Sequence, residues 1–99
     1  ALSGSGPAYF FYLAECLASA AIEEGLPEAL ASRLAAHTLI GAGQLLRASG
    51  KSPSVLREQV TSKGGTTFAA LEAMRSHNFE GVIREAIHAA AKRSQELGK

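Results

Sequence analysis

The sequence predicts an all-helical domain, and three observations carry that reading. Alanine dominates the composition and β-branched residues are few. No stretch alternates apolar and polar residues as a half-buried strand would. Apolar residues instead recur three and four positions apart through most of the chain. At 99 residues the chain suits one small domain that buries a modest fraction of its surface, built from about five helices, two of them long.

The first helix is expected from about Pro7 or Ala8 to Glu24. Ser5 suits its cap, and Pro7 its first turn, where a missing N–H is not needed. Phe10, Leu13, Ala14, Leu17, Ala18, Ala21 and Ile22 form one wide apolar face, broad enough to meet more than one neighbour. Gly25 is the expected left-handed stop. Pro27 opens a second helix running to about Ala48 and ending before Gly50, with Leu30, Ala31, Leu34, Ala35, Thr38, Leu39, Ala42, Leu45 and Leu46 on its buried side. Gly41 and Gly43 interrupt it at about 1 kcal/mol each against alanine, a cost that close helix–helix approach would offset. At about 1.5 Å per residue this helix reaches roughly 33 Å. A compact domain of this size has a radius of gyration of only about 13 Å, so a second chain is the natural cover for so long an element.

Ser52-Pro53 begins a short third helix through about Val60. A fourth, from about Thr66 to Ser76, is expected to bury Phe68, Leu71 and Met74. Asn78 caps a fifth from about Phe79 to Leu97, where Phe79, Val82, Ile83, Ala86, Ile87, Ala90 and Leu97 keep helical spacing opposite Arg84, Glu85, His88 and Lys92.

Charge and composition narrow the function. The net charge is +1 with acids and bases interspersed, so the basic stripe expected of a nucleic-acid binder is missing. No apolar run reaches the length of a membrane span, and Ala1 to Phe11 lacks the charged start of a signal peptide. The single cysteine, Cys16, reads as a small buried residue of a reducing compartment, and a cytoplasmic protein is expected.

Most local patterns dissolve on inspection. Gly50-Lys51-Ser52 ends like a phosphate-binding loop, but the required upstream glycine would fall on Leu45, and the segment follows a helix. Gly41-Ala42-Gly43 sits inside a helix and lacks the third glycine of a dinucleotide fingerprint. His37, His77 and His88 have no carboxylate at metal-ligand spacing, so no metal is expected. Cys16 and the Ser3/Ser5 pair have no neighbouring base, and Glu23 and Glu24 point in different directions on a helix.

One segment remains chemically pointed: Val60-Thr61-Ser62-Lys63-Gly64-Gly65-Thr66-Thr67-Phe68-Ala69-Ala70-Leu71. Two glycines permit a sharp turn and close approach of a ligand to the main chain. A helix opening at Thr66 or Thr67 leaves its first N–H groups unpaired, with roughly half a positive charge at that end. Such an arrangement receives a small carboxylate or phosphate, with Ser62, Thr66 and Thr67 as further hydrogen-bond partners. The plain alternative is a loop-to-helix junction capped by Thr66 or Ser62.

Taken with the opening Leu2-Ser3-Gly4-Ser5-Gly6-Pro7-Ala8-Tyr9 and with Glu24-Gly25-Leu26-Pro27, this segment closely resembles the C-terminal domain of pyrroline-5-carboxylate reductase, over almost the whole chain. Many members carry proline where this chain has Lys63, so the position does not demand a charge. The resemblance implies reduction of the C=N bond of 1-pyrroline-5-carboxylate to L-proline, the last step of proline biosynthesis. It implies hydride from NADH or NADPH, held by an N-terminal Rossmann domain that these residues do not contain; alone, they are expected to be inactive. It implies an intertwined homodimeric bundle like the C-terminal half of 6-phosphogluconate-dehydrogenase-type enzymes, in a family where higher assemblies of dimers occur. By motif match, Ser62, Gly64, Gly65 and Thr66 would hold the substrate carboxylate, the backbone N–H groups around Gly65 and Thr66 included. Thr67 would set its hydroxyl near the ring nitrogen as the catalytic residue. Two competitors stand beside this expectation: a dehydrogenase of another small acid, and a non-catalytic helical dimerisation or anion-binding module.

Overall fold

The computed structural model describes residues 2–98, apart from the side chain of Ser3. It contains five helices and, among the described residues, no strand: α1 (Leu2–Glu23), α2 (Glu28–Ser49), α3 (Pro53–Gln59), α4 (Thr66–Ser76) and α5 (Phe79–Glu96). The all-helical reading therefore holds. The chain divides into two units, one spanning Ser3–Gly50 and the other beginning at Lys51.

In the first unit, α1 starts five residues earlier than Pro7 suggests, so Pro7 lies inside the helix and Ser5 is not its cap. Proline in a second turn removes one backbone donor, and it also crowds the Cβ of the residue before it. That residue is Gly6, which has no Cβ, so the helix runs through. The Ser5 hydroxyl instead pairs with the Tyr9 hydroxyl one turn on, at 2.5 Å. The far end of α1 matches expectation. Gly25 stands at φ 111. Its N–H donates to the Ile22 carbonyl (3.0 Å) and the Leu26 N–H to that of Ala21 (3.1 Å), the paired bonds of a Schellman stop. α2 follows Pro27 directly and ends at Gly50, φ 68, after 22 residues.

Both helices are strikingly bare for such apolar sequences. Among the described residues Ala31, 1% exposed, is the one buried apolar side chain. Leu13, Leu17, Ile22, Leu34, Leu45 and Leu46, read as facing a core, are all exposed. Cys16 is exposed as well, against the expectation of burial. For the leucines and Ile22 the reason is that the apolar face is wider than the single helix neighbour within this unit can cover; Cys16 lies instead on the other side of α1, with Tyr12, Glu15, Ser19 and Glu23. Phe11, Ala14, Ala18, Ala35, Leu39 and Ile40 line an open groove between α1 and α2.

In the second unit, the Ser52 hydroxyl caps α3 by accepting from the Val55 N–H at 3.3 Å, with Pro53 in the first turn as expected. α4 spans the residues read from sequence and packs against α5 across His77-Asn78. Asn78 precedes α5 but makes no side-chain cap bond; it takes φ 60, ψ 42 instead. Asparagine tolerates this left-handed conformation, so the residue serves as a turn rather than as a cap. Gly81 is buried beneath it, and a Cβ there would run into the Asn78 amide. Leu71, Met74, Ile87 and Ala90 are half-buried, whereas Phe68, Phe79, Val82, Ile83 and Leu97 remain exposed, again short of the expected burial. No described helix is long and apolar enough to cross a membrane.

Candidate functional site

The segment between α3 and α4 is anchored at both ends. On the α3 side, the Thr61 hydroxyl donates to the Arg57 carbonyl at 2.6 Å and the Thr61 N–H to that of Glu58 at 3.1 Å. Thr61 is thereby committed to structure. Next, Ser62-Lys63-Gly64-Gly65 forms a β-turn closed by the Gly65 N–H donating to the Ser62 carbonyl at 3.0 Å. Gly64, third in the turn, has φ 77. A positive φ there defines a type II turn, which is why glycine occupies it. Lys63 takes the second position, where the fixed φ of proline is equally at home.

The Gly65 N–H, assigned to a bound carboxylate, is used to close the turn. The open donors start one residue later. Gly65 is the N-cap of α4 and offers no side-chain cap bond, and the first helical hydrogen bond runs from the Ala69 N–H to the Gly65 carbonyl at 3.1 Å. The N–H groups of Thr66, Thr67 and Phe68 thus have no partner within the described residues, as the first turn of an α-helix requires. Phe68 was not among the residues picked out by motif. The signal that finds it is position alone, as the third residue of a helix starting at Thr66.

The surrounding chemistry suits an anion. The first turn of α4 contains no acidic residue, so no internal carboxylate answers the positive end of its dipole. Ser62 and Lys63 are exposed and Thr67 is half-buried. Neither Ser62 nor Thr67 spends its hydroxyl on a hydrogen bond among the described residues, and Gly65, not Thr66, stands at the N-cap with no side-chain cap bond, so capping by Ser62 or Thr66 is not what this junction does. Ser62, Gly64, Gly65, Thr66 and Thr67 are therefore brought together, as two adjoining elements of the same unit. No group of three His, Cys, Asp or Glu side chains among the described residues could hold a metal ion.

Comparison with known proteins places this junction in context. Residues 1–97 match the family described as pyrroline-5-carboxylate reductase dimerisation. A pyrroline-5-carboxylate reductase of Arabidopsis thaliana is 46% identical over 98 residues, which are 99% of this chain and 36% of the relative. One from Pisum sativum is 47% identical over 96 residues, 97% of this chain and 35% of the relative. The chain spans about a third of the length of these relatives. Among solved structures, the Plasmodium falciparum pyrroline carboxylate reductase with NADP bound superposes with a TM-score of 0.91 at 28% identity, covering 99% of this chain and 37% of that one.

Proposed function

Because the chain belongs to the pyrroline-5-carboxylate reductase dimerisation family, we propose that it forms the dimerisation and substrate-binding part of a pyrroline-5-carboxylate reductase, acting with an N-terminal Rossmann domain of a longer cytoplasmic enzyme. The observation that carries this reading is the set of three unpaired N–H groups at the start of α4 beside the unbonded hydroxyl of Ser62.

In this reading the carboxylate of 1-pyrroline-5-carboxylate accepts hydrogen bonds from the Thr66, Thr67 and Phe68 N–H groups and from the Ser62 hydroxyl, within the positive field of the helix end. Charge-assisted bonds of this kind are about twice as strong as neutral ones and fix orientation as well as affinity. Anchoring the carboxylate fixes the face of the adjoining C=N bond. The Thr67 hydroxyl, half-buried, meets the ring nitrogen. NAD(P)H, when bound by the Rossmann domain, supplies the hydride; the described residues here are helical and offer no strand–glycine–helix unit for it. The substrate reacts as its N-protonated iminium form: as the C=N carbon gains that hydride, the π pair becomes the nitrogen lone pair, positive charge leaves the nitrogen, and it ends as the secondary amine of L-proline. The task of this chain is alignment of the reacting atoms.

The bare faces of α1 and α2 belong to the same proposal. Phe10, Phe11, Tyr12, Leu13 and Leu17 on α1 and Leu34, Ile40, Leu45 and Leu46 on α2 are exposed. A homodimer covers them. So many large apolar side chains left exposed on two helices favour an association surface.

The test is oxidation of NADH or NADPH by the full-length protein with 1-pyrroline-5-carboxylate, run beside residues 1–99 alone. Turnover by the full-length protein only is the expected result. A folded, cofactor-binding full-length protein that leaves the substrate untouched would refute the reductase reading and leave a generic carboxylate site.

A further inference from the structure

Gly65 presents a puzzle once its N–H is accounted for. Its backbone lies at φ −87, ψ −175, an extended conformation open to any residue, so its identity is not demanded by a left-handed turn. Its N–H faces the Ser62 carbonyl and is not offered to a ligand. What distinguishes the position is space. A Cβ on Gly65 would stand 2.5 Å from the Ser62 Oγ and 3.3 Å from the Ser62 carbonyl oxygen. By contrast, a Cβ on Gly64 would meet nothing within 4 Å, and only its φ of 77 calls for glycine there. The Ser62 hydroxyl therefore occupies the volume that any side chain at 65 would claim.

We propose that Gly65 is a positioning residue for the substrate site: its missing Cβ lets the Ser62 hydroxyl fold over the turn toward the N-terminus of α4. The proposal rests on the reading of that helix end as the carboxylate site. The obstructed atom is the tip of a short, rotatable side chain. Alanine at 65 is accordingly absorbed by rotation of the Ser62 hydroxyl with little loss of fold, and what suffers is the hydroxyl's aim. Serine at 62 and glycine at 65 thus work as a pair, and their substitutions must be non-additive.

The experiment is a double-mutant cycle in the full-length enzyme, with Gly65→Ala, Ser62→Ala and the double variant. KM for 1-pyrroline-5-carboxylate and kcat are measured at saturating NADPH, with thermal unfolding recorded in parallel. Ser62→Ala and Gly65→Ala are each expected to raise KM about tenfold, the scale of one hydrogen bond to a charged group. The double variant should also stand about tenfold above wild type. A double variant near a hundredfold, or a Gly65→Ala enzyme with wild-type KM, would overturn the positioning role. A wild-type KM in Ser62→Ala would instead bring down the carboxylate reading on which the role depends. Should Gly65→Ala fail to fold, the double variant still decides: folding restored by Ser62→Ala traces the glycine to the hydroxyl, and failure of both shows that Gly65 is needed on its own account.

Discussion

The exposed α1–α2 groove makes a quantitative prediction about Phe11. This side chain lines the groove and is 62% exposed in the single chain. A buried aromatic side chain hides about 200 Å², so covering the remaining fraction removes about 120 Å² from water. At about 25 cal/mol per Å² that stabilises a dimer by about 3 kcal/mol per protomer, or about 6 kcal/mol for a symmetric pair. Phe11→Ala should therefore raise the dimer dissociation constant by about ten-thousand-fold. Analytical ultracentrifugation over a dilution series reads this directly. Because the chain buries so little apolar surface by itself, dissociation and unfolding should coincide, and wild-type Tm should rise with protein concentration. A monomer that melts at one temperature whatever its concentration, or a Phe11→Ala dimer as tight as wild type, would refute the role given to this face.

The remaining predictions concern the α3–α4 junction in the full-length protein and rest on the proposed reductase activity. Thr67→Ala should lower kcat by tenfold or more while moving stability by less than about 1 kcal/mol, since one hydrogen bond to a charged group is at stake; unchanged steady-state kinetics would remove Thr67 from the site. Gly64→Ala forces a Cβ into φ 77 and should cost about 1–2 kcal/mol in denaturant unfolding, with a raised KM for substrate. Lys63→Pro should keep the turn and stabilise the fold by up to about 1 kcal/mol, because proline fits the second position of a type II turn and restricts the unfolded chain. A destabilised Lys63→Pro protein would mean the turn at Ser62–Gly65 is of another type.

Much of the architecture was legible in local chemistry. Gly25 and Gly50 mark helix ends because their positive φ is cheap only for glycine. Ser52-Pro53 marks a helix start because serine supplies the missing acceptor and proline forgoes a donor that would be unpaired there. The Thr66 start of α4, and hence the place of its open N-terminal donors, followed from the Gly64-Gly65 pair and the run of helix formers behind it. Pro7 misled because its usual place in the first turn is a preference, which Gly6 relaxes by having no Cβ to crowd. Asn78 misled because the same side chain suits both a cap and a left-handed turn.

What the sequence determined unaided is therefore what depends on a few neighbouring residues: helix class, most helix ends and the place of the candidate site. Tertiary structure alone decided where each apolar side chain finds itself and which donors stay open. Spacing can say that Leu13, Leu34 and Leu45 share faces with other apolar residues, but not whether anything within their unit covers those faces, and all three are exposed. Likewise, the motif could gather Ser62, Gly65 and Thr66 into one site. Only the closed turn shows that Gly65 gives its N–H to the Ser62 carbonyl, so that the open donors are those of the three residues that follow. A hydrogen bond is a property of two groups in space, and one-dimensional order does not contain the second group.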